Sequence, residues 1–171
     1  VEEILAAQDR ATGVRVHGRS FDFDAVVAAA DYHHVEEKLL PPSLRNYGDS
    51  YWKSKTFAPS CLIFYLGVNK KLGSLQHHTL FFEEDFLQHS IDIYKEPKWP
   101  AKPLFYVCCP SKTDPGVAPE DHENLFLLMP LAPGIEDTEA LREEYFRIMM
   151  ARLEKKIGEA VLPHIDYKHS Y

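Results

Sequence analysis

The chain has 171 residues, enough for one compact domain with a real core, or for one domain plus part of another. Its 45% apolar and 26% charged composition sits near the average for soluble globular proteins, which excludes disordered, collagen-like and coiled-coil readings. A formal net charge of -7, with Lys and Arg scattered along the chain, argues against a nucleic-acid partner, because a phosphate backbone is held by clustered cations. The longest apolar run, Cys61-Leu62-Ile63-Phe64-Tyr65-Leu66, falls far short of the roughly 20 residues that span a bilayer. Cys108 and Cys109 are neighbours in an apolar stretch and read as buried thiols, predicting a reducing, cytoplasmic setting. The opening Val1-Glu2-Glu3-Ile4 shows no initiator Met, basic region or cleavage pattern, so the chain reads as a piece of a longer protein.

Residues 1–7 and 11–17 read as two strands joined by the turn Gln8-Asp9-Arg10, a hairpin in which Gly13 is a weak spot. Phe21-Asp22-Phe23-Asp24 alternates at period two. The small-apolar run at residues 25–30 then reads as a strand covered on both faces. Asp31 is placed to cap a helix over residues 32–40, which Pro41-Pro42 stops. Residues 41–59 change character, with paired prolines and Asn46-Tyr47-Gly48-Asp49-Ser50, and a domain crossover is expected there.

Four apolar runs follow with strand length and composition, at residues 60–68, 76–82, 104–110 and 124–131. They predict an α+β fold built on a mostly antiparallel sheet with flanking helices. Residues 83–94 read as a helix whose first turn is Glu83-Glu84-Asp85, and Lys112-Thr113-Asp114-Pro115-Gly116 is dense turn chemistry. From Asp137, a predicted N-cap, Leu141, Tyr145, Ile148, Met149, Arg152, Leu153 and Ile157 line one face of a long helix. Its Arg147, Arg152, Lys155 and Lys156 read as a solvated face that suits the C-terminal end of the dipole.

Three ordered stretches carry a resemblance. Ala11-Thr12-Gly13-Val14-Arg15-Val16 and Asp24-Ala25-Val26-Val27-Ala28-Ala29-Ala30-Asp31 form the first. Tyr65-Leu66-Gly67-Val68 with His77-His78-Thr79 forms the second, and residues 110–119, Pro-Ser-Lys-Thr-Asp-Pro-Gly-Val-Ala-Pro, the third. Together they resemble the phytoene desaturases and related carotenoid oxidoreductases of the flavin amine oxidase superfamily. Ala29 stands where that family often has Asn, and Glu120-Asp121-His122 replaces its usual Pro-Gly.

The resemblance implies that residues 1–40 are part of a Rossmann-like FAD-binding domain, with residues 41–171 a substrate-binding domain laid over the flavin. It further implies that Val1, Ala28, Ala29 and Ala30 approach the cofactor. The implied activity is hydride transfer from phytoene or a related carotenoid to FAD, by a parent protein resting on a membrane surface; isomerases and saturases share the scaffold. An apolar-ligand-binding module without catalysis is the reading from a different class. None of the eight glycines forms the G-x-G-x-x-G turn that dinucleotide binding needs, so this chain alone is expected to hold no flavin and to be inactive.

A polyene offers no polar handle, and its channel should be lined by side chains that look like core: Phe64, Tyr65, Phe81, Phe82, Phe105, Tyr106, Phe126 and Met129. They are candidates as a set; for any one of them plain sheet core is the stronger reading. Of the histidines, His33-His34 and His77-His78 are adjacent pairs, whose side chains diverge on a strand or a helix, and this argues against a metal centre. No residue is assigned a catalytic role.

Overall fold

A computed structural model describes all residues, 1–171, and the chain divides into two compact units, Val1–Thr56 and Phe57–Tyr171. The division falls within the stretch 41–59 where the sequence changes character.

The first unit is a three-stranded antiparallel sheet, β1 (Glu3–Ala7), β2 (Arg10–Val16) and β3 (Arg19–Asp22), in the order β1-β2-β3. The hairpin therefore gains a third strand. Both of its turns are two-residue loops in left-handed conformation, Gln8-Asp9 at φ 50 and 61 and His17-Gly18 at φ 48 and 72; this geometry matches the twist of the flanking strands. Gly13 is more than a weak spot, because a Cβ there would lie 2.1 Å from the Phe21 carbonyl oxygen on β3.

Residues 25–30 correct the expectation of a covered strand. They lie largely exposed and form no strand, because an apolar run becomes a strand only where a neighbour supplies ladder partners, and none pairs with it. Asp31 does cap the next helix, its carboxylate accepting from His34 N at 2.8 Å. One α-turn, α1 (Tyr32–His34), runs into a π-helical turn, Val35–Leu39, and ends where Leu40 is extended before Pro41. Val35 and Leu39 pack on Ile4. The buried Glu36 is held by Asn46 N and Nδ2, both at 2.8 Å, which ties the turn at residues 40–47 to the helix. A short helix, α2 (Asp49–Lys53), closes the unit.

The second unit is a five-stranded sheet whose pairings are all antiparallel, in the order β5-β6-β7-β4-β8. Its strands are β4 (Ser60–Val68), β5 (His78–Phe81), β6 (Phe105–Cys108), β7 (Glu123–Leu131) and β8 (Ile165–Ser170). Four coincide with the predicted apolar runs. β8, too polar to register as one, is held at the sheet edge by backbone pairing to β4 from Phe64↔Ser170 to Val68↔Ile165.

Helix α3 (Phe86–Tyr94) begins after Asp85, whose carboxylate accepts from Leu87 N and Gln88 N at 2.9 and 3.1 Å. Glu83 and Glu84 thus precede the helix instead of forming its first turn. Helix α4 (Glu139–Ile157) is capped by Thr138, not Asp137, with Leu141 N donating to Thr138 Oγ1 at 3.2 Å. Asp137 instead forms a bidentate pair with Arg142.

α4 buries Tyr145, Phe146, Met149, Met150, Leu153 and Ile157 in the same core cluster as Leu62, Phe64, Leu66 and Val68 of β4 and Leu125, Leu127 and Met129 of β7. Every second residue of β7 is buried, as period-two geometry demands of a sheet with one packed face. No helix is long and apolar enough to cross a membrane.

Candidate functional site

The five-stranded sheet has a second face, and antiparallel register fixes what it presents. Residues directly opposite one another share a face, so the pairs His78↔Cys108, Leu80↔Tyr106, Tyr106↔Leu128, Cys108↔Phe126, Ile63↔Leu128, Tyr65↔Phe126 and Tyr65↔His169 run as one surface across all five strands. These side chains are half-buried or exposed. The Tyr65 ring lies 5.4 Å from Phe126 and 6.0 Å from Tyr171, and Tyr106 lies 6.3 Å from Phe126. An aromatic and aliphatic surface of this kind holds ligands by apolar contact.

The eight residues read from the sequence as channel lining divide between the two faces. Phe64, Phe81, Phe105 and Met129 point into the core, each no more than 3% exposed, with Phe64 against Phe146 and Phe81 stacked on Phe105 at 4.2 Å. Tyr65, Tyr106 and Phe126 meet on the open face. Phe82, 55% exposed, stands just past β5 beside a cleft of about 650 Å³ that it lines with Leu80, Glu83, Arg152 and Lys156.

Arg152 belongs to neither a solvated stripe nor a free binding patch. Its guanidinium donates twice to Glu83 Oε1, at 2.9 and 2.7 Å, and to the Pro103 carbonyl, and lies 4.8 Å from the Phe105 ring centroid. Burial alone would raise the Glu83 carboxyl; a backbone hydrogen bond and Arg152 outweigh it and hold the group below the ordinary range.

Polar chemistry gathers at the β5–β6 end of the open face. His77 lies just before β5, outside the strand, so its side chain is released from strand alternation. The two imidazoles stack at 4.1 Å, which corrects the expectation that the adjacent pair diverges. His77 Nδ1 is 2.6 Å from Thr113 Oγ1, and His78 Nδ1 is 2.5 Å from the Tyr106 hydroxyl. The Tyr106 phenol is pushed up to about 12, first by its hydrogen bond with Cys108 and then by burial.

Cys108 is half-buried on this face, so only its neighbour Cys109 is a buried thiol. Cys109 is pushed up to about 11, first by burial, which suits an inert packing thiol. His89 is structural: its Nδ1 accepts from Leu104 N and its Nε2 donates to the Pro130 carbonyl, both at 3.0 Å.

Sequence reasoning missed Glu123. It is 2% exposed and pairs with Lys112 Nζ at 2.7 Å while accepting from Ser111 Oγ, so within the Pro-Ser-Lys-Thr turn Lys112 neutralises the buried carboxylate and Ser111 hydrogen-bonds it. Burial would raise it, but Lys112 and Ser111 outweigh that and hold it low. The signal was available: counting by twos from Leu131 to Leu125 puts position 123 on the packed face.

Val1 is 66% exposed and Ala28, Ala29 and Ala30 are exposed, so their backbone is open to approach. No glycine-rich turn opens a helix beside them.

No protein-family model matches the chain. Curated proteins do. It is 42% identical over all 171 of its residues to a carotenoid 3,4-desaturase of Haloarcula japonica, of which it covers 34%. It is 34% identical over 132 residues, 77% of the chain, to a zeta-carotene-forming phytoene desaturase of Myxococcus xanthus, of which it covers 25%. Over 125 residues, 71% of the chain, it is 34% identical to a 4,4'-diapophytoene desaturase of Staphylococcus haemolyticus, again covering 25%. Among solved structures, an oxidoreductase from Methanosarcina mazei aligns with all of the chain and 36% of its own, at 18% identity and a TM-score of 0.48.

The chain has an α+β fold. By sequence it belongs with the carotenoid and phytoene desaturases, and it spans about a third or less of the length of the relatives it matches.

Proposed function

We propose that the second unit is the substrate-binding part of a carotenoid desaturase, and that its open sheet face is one wall of the polyene channel. The observation that carries this reading is the face itself. Leu80, Tyr106, Leu128, Ile63, Phe126 and Tyr65 follow one another in register across four strands, with aromatic rings at its centre. A long hydrocarbon is recognised by such a surface and by little else. Tyr65, Tyr106, Phe126 and Phe82 are the channel residues in this reading, while Phe64, Phe81, Phe105 and Met129 support them from behind.

Flavin is the hydride acceptor that the family supplies. Val1 and Ala28, Ala29 and Ala30 serve at most as backbone positions beside it, within the residues 1–40 read as part of a flavin-binding domain. No step is assigned to residues of this chain. The whole protein then works where carotenoids dissolve, at a membrane surface on the cytoplasmic side.

The test uses the full-length protein with FAD and phytoene, and with partly desaturated carotenes, reading the absorption of the extracted product. Lengthening of the chromophore supports a desaturase. An unchanged chain length with altered double-bond geometry, or a shortened chromophore, would replace it by an isomerase or a saturase. Binding without any turnover would favour an apolar-ligand module.

A further inference from the structure

We propose that His77, His78 and Cys108 form a zinc-binding site at the β5–β6 end of the open face. This does not depend on the desaturase reading. One ring nitrogen of each histidine and the Cys108 sulfur already lie within 4.8 Å of one another. Two imidazoles and a thiolate are a donor set suited to a borderline divalent ion, and Zn²⁺ commonly takes three protein ligands of this kind plus a water.

The fold explains the convergence. His78 and Cys108 are directly opposite in the β5–β6 ladder, so their side chains project from the same face. His77 is held alongside by its own carbonyl, which accepts from Cys109 N at 2.7 Å. All three residues are accessible or half-buried, so hydrated metal can reach them.

The surroundings supply what metal-binding histidines need behind them. In each ring Nδ1 is engaged by a hydroxyl, Thr113 Oγ1 for His77 and Tyr106 Oη for His78. Where the hydroxyl accepts the Nδ1 proton, Nε2 is left with a free lone pair, the tautomer a metal requires. Donor atoms in a tetrahedral zinc site lie about 3.3–3.8 Å apart, as follows from bonds of about 2.0–2.3 Å. The present spacing of up to 4.8 Å therefore closes by about 1 Å on binding. Water would complete the fourth position.

The experiment titrates the reduced, 171-residue chain anaerobically with Co²⁺, then adds Zn²⁺. We expect one equivalent of Co²⁺ with tetrahedral visible bands and a thiolate-to-cobalt charge-transfer band, all abolished by Zn²⁺. Cys108→Ser should lose the charge-transfer band, His77→Asn should weaken binding at least tenfold, and Cys61→Ser should change neither. Circular dichroism establishes that each variant is folded, and His77→Asn decides the matter if Cys108→Ser is not. Absence of a saturable thiolate band, its persistence in Cys108→Ser, or unchanged affinity in His77→Asn would overturn the proposal.

Discussion

Lys112 and Glu123 meet at 2.7 Å across the second unit, one from a turn after β6 and the other from the first residue of β7, and the carboxylate is almost fully buried. Removing one partner of such a pair strands the other. Lys112→Met should therefore destabilise the chain by about 2–4 kcal/mol, and the double change with Glu123→Leu should recover part of that loss. Urea unfolding of the parent chain and the two variants measures it; equal stability of Lys112→Met and the parent chain would show the pair to be idle.

Acid should unfold the chain in a definite window. Burial acts to raise both Glu36 and Glu123, yet hydrogen bonds from Asn46 and Tyr32 in one case, and from Lys112 and Ser111 in the other, hold both below the ordinary value. With folded values depressed, the unfolded chain takes up protons first. Their stabilisation is complete above the unfolded value, about 4.3, and is lost as pH falls through it toward the folded values. Denaturant midpoints measured from pH 7 to pH 3 should fall, and should fall less steeply in Glu36→Gln and Glu123→Gln. A slope identical to that of the parent in both variants would rule these two groups out.

Gly13→Ala should loosen the first unit. The added methyl meets backbone, which cannot rotate away, so β2 and β3 must separate. A loss of about 1–3 kcal/mol is expected. Hydrogen exchange should quicken at Val14 and Phe21, which pair across that ladder, while amides of β4 and β7 keep their protection.

Phe126 and Leu127 are neighbours with opposite fates. Leu127 is fully buried, so Leu127→Ala should cost about 2–5 kcal/mol. Phe126→Ala should cost about 1 kcal/mol, yet in the full-length protein it should lower carotene turnover. If Phe126→Ala leaves turnover intact while the sheet stays folded, the open face is not the channel wall.

The legible part of this fold was local. Apolar runs of strand length announced β4 to β7, Asp31 announced its helix by the need to satisfy orphan amides, and the 3.6-residue spacing after Asp137 announced α4. Where a signal was one residue wide it slipped, as from Thr138 to Asp137. β8 was invisible, and β3 showed only as the period-two alternation at Phe21-Asp22, because edge strands, exposed and polar, owe their form to a partner's backbone and not to their own side chains.

For the candidate site, the sequence by itself determined the inventory: aromatic residues on strands, adjacent histidines before a threonine, a cysteine beside another, all in the order of carotenoid desaturases. It could not say which face each aromatic takes, since Phe64 and Tyr65 differ only by alternation around a core whose far side is α4. Only the tertiary structure decided that Tyr65, Tyr106 and Phe126 share a surface, that Cys108 opens onto it while Cys109 does not, and that His77 turns to lie on His78. The physical reason is that register between strands distant in sequence, here β4 with β7 and β5 with β6, is set by the summed burial of the whole sheet, and no single segment carries that sum.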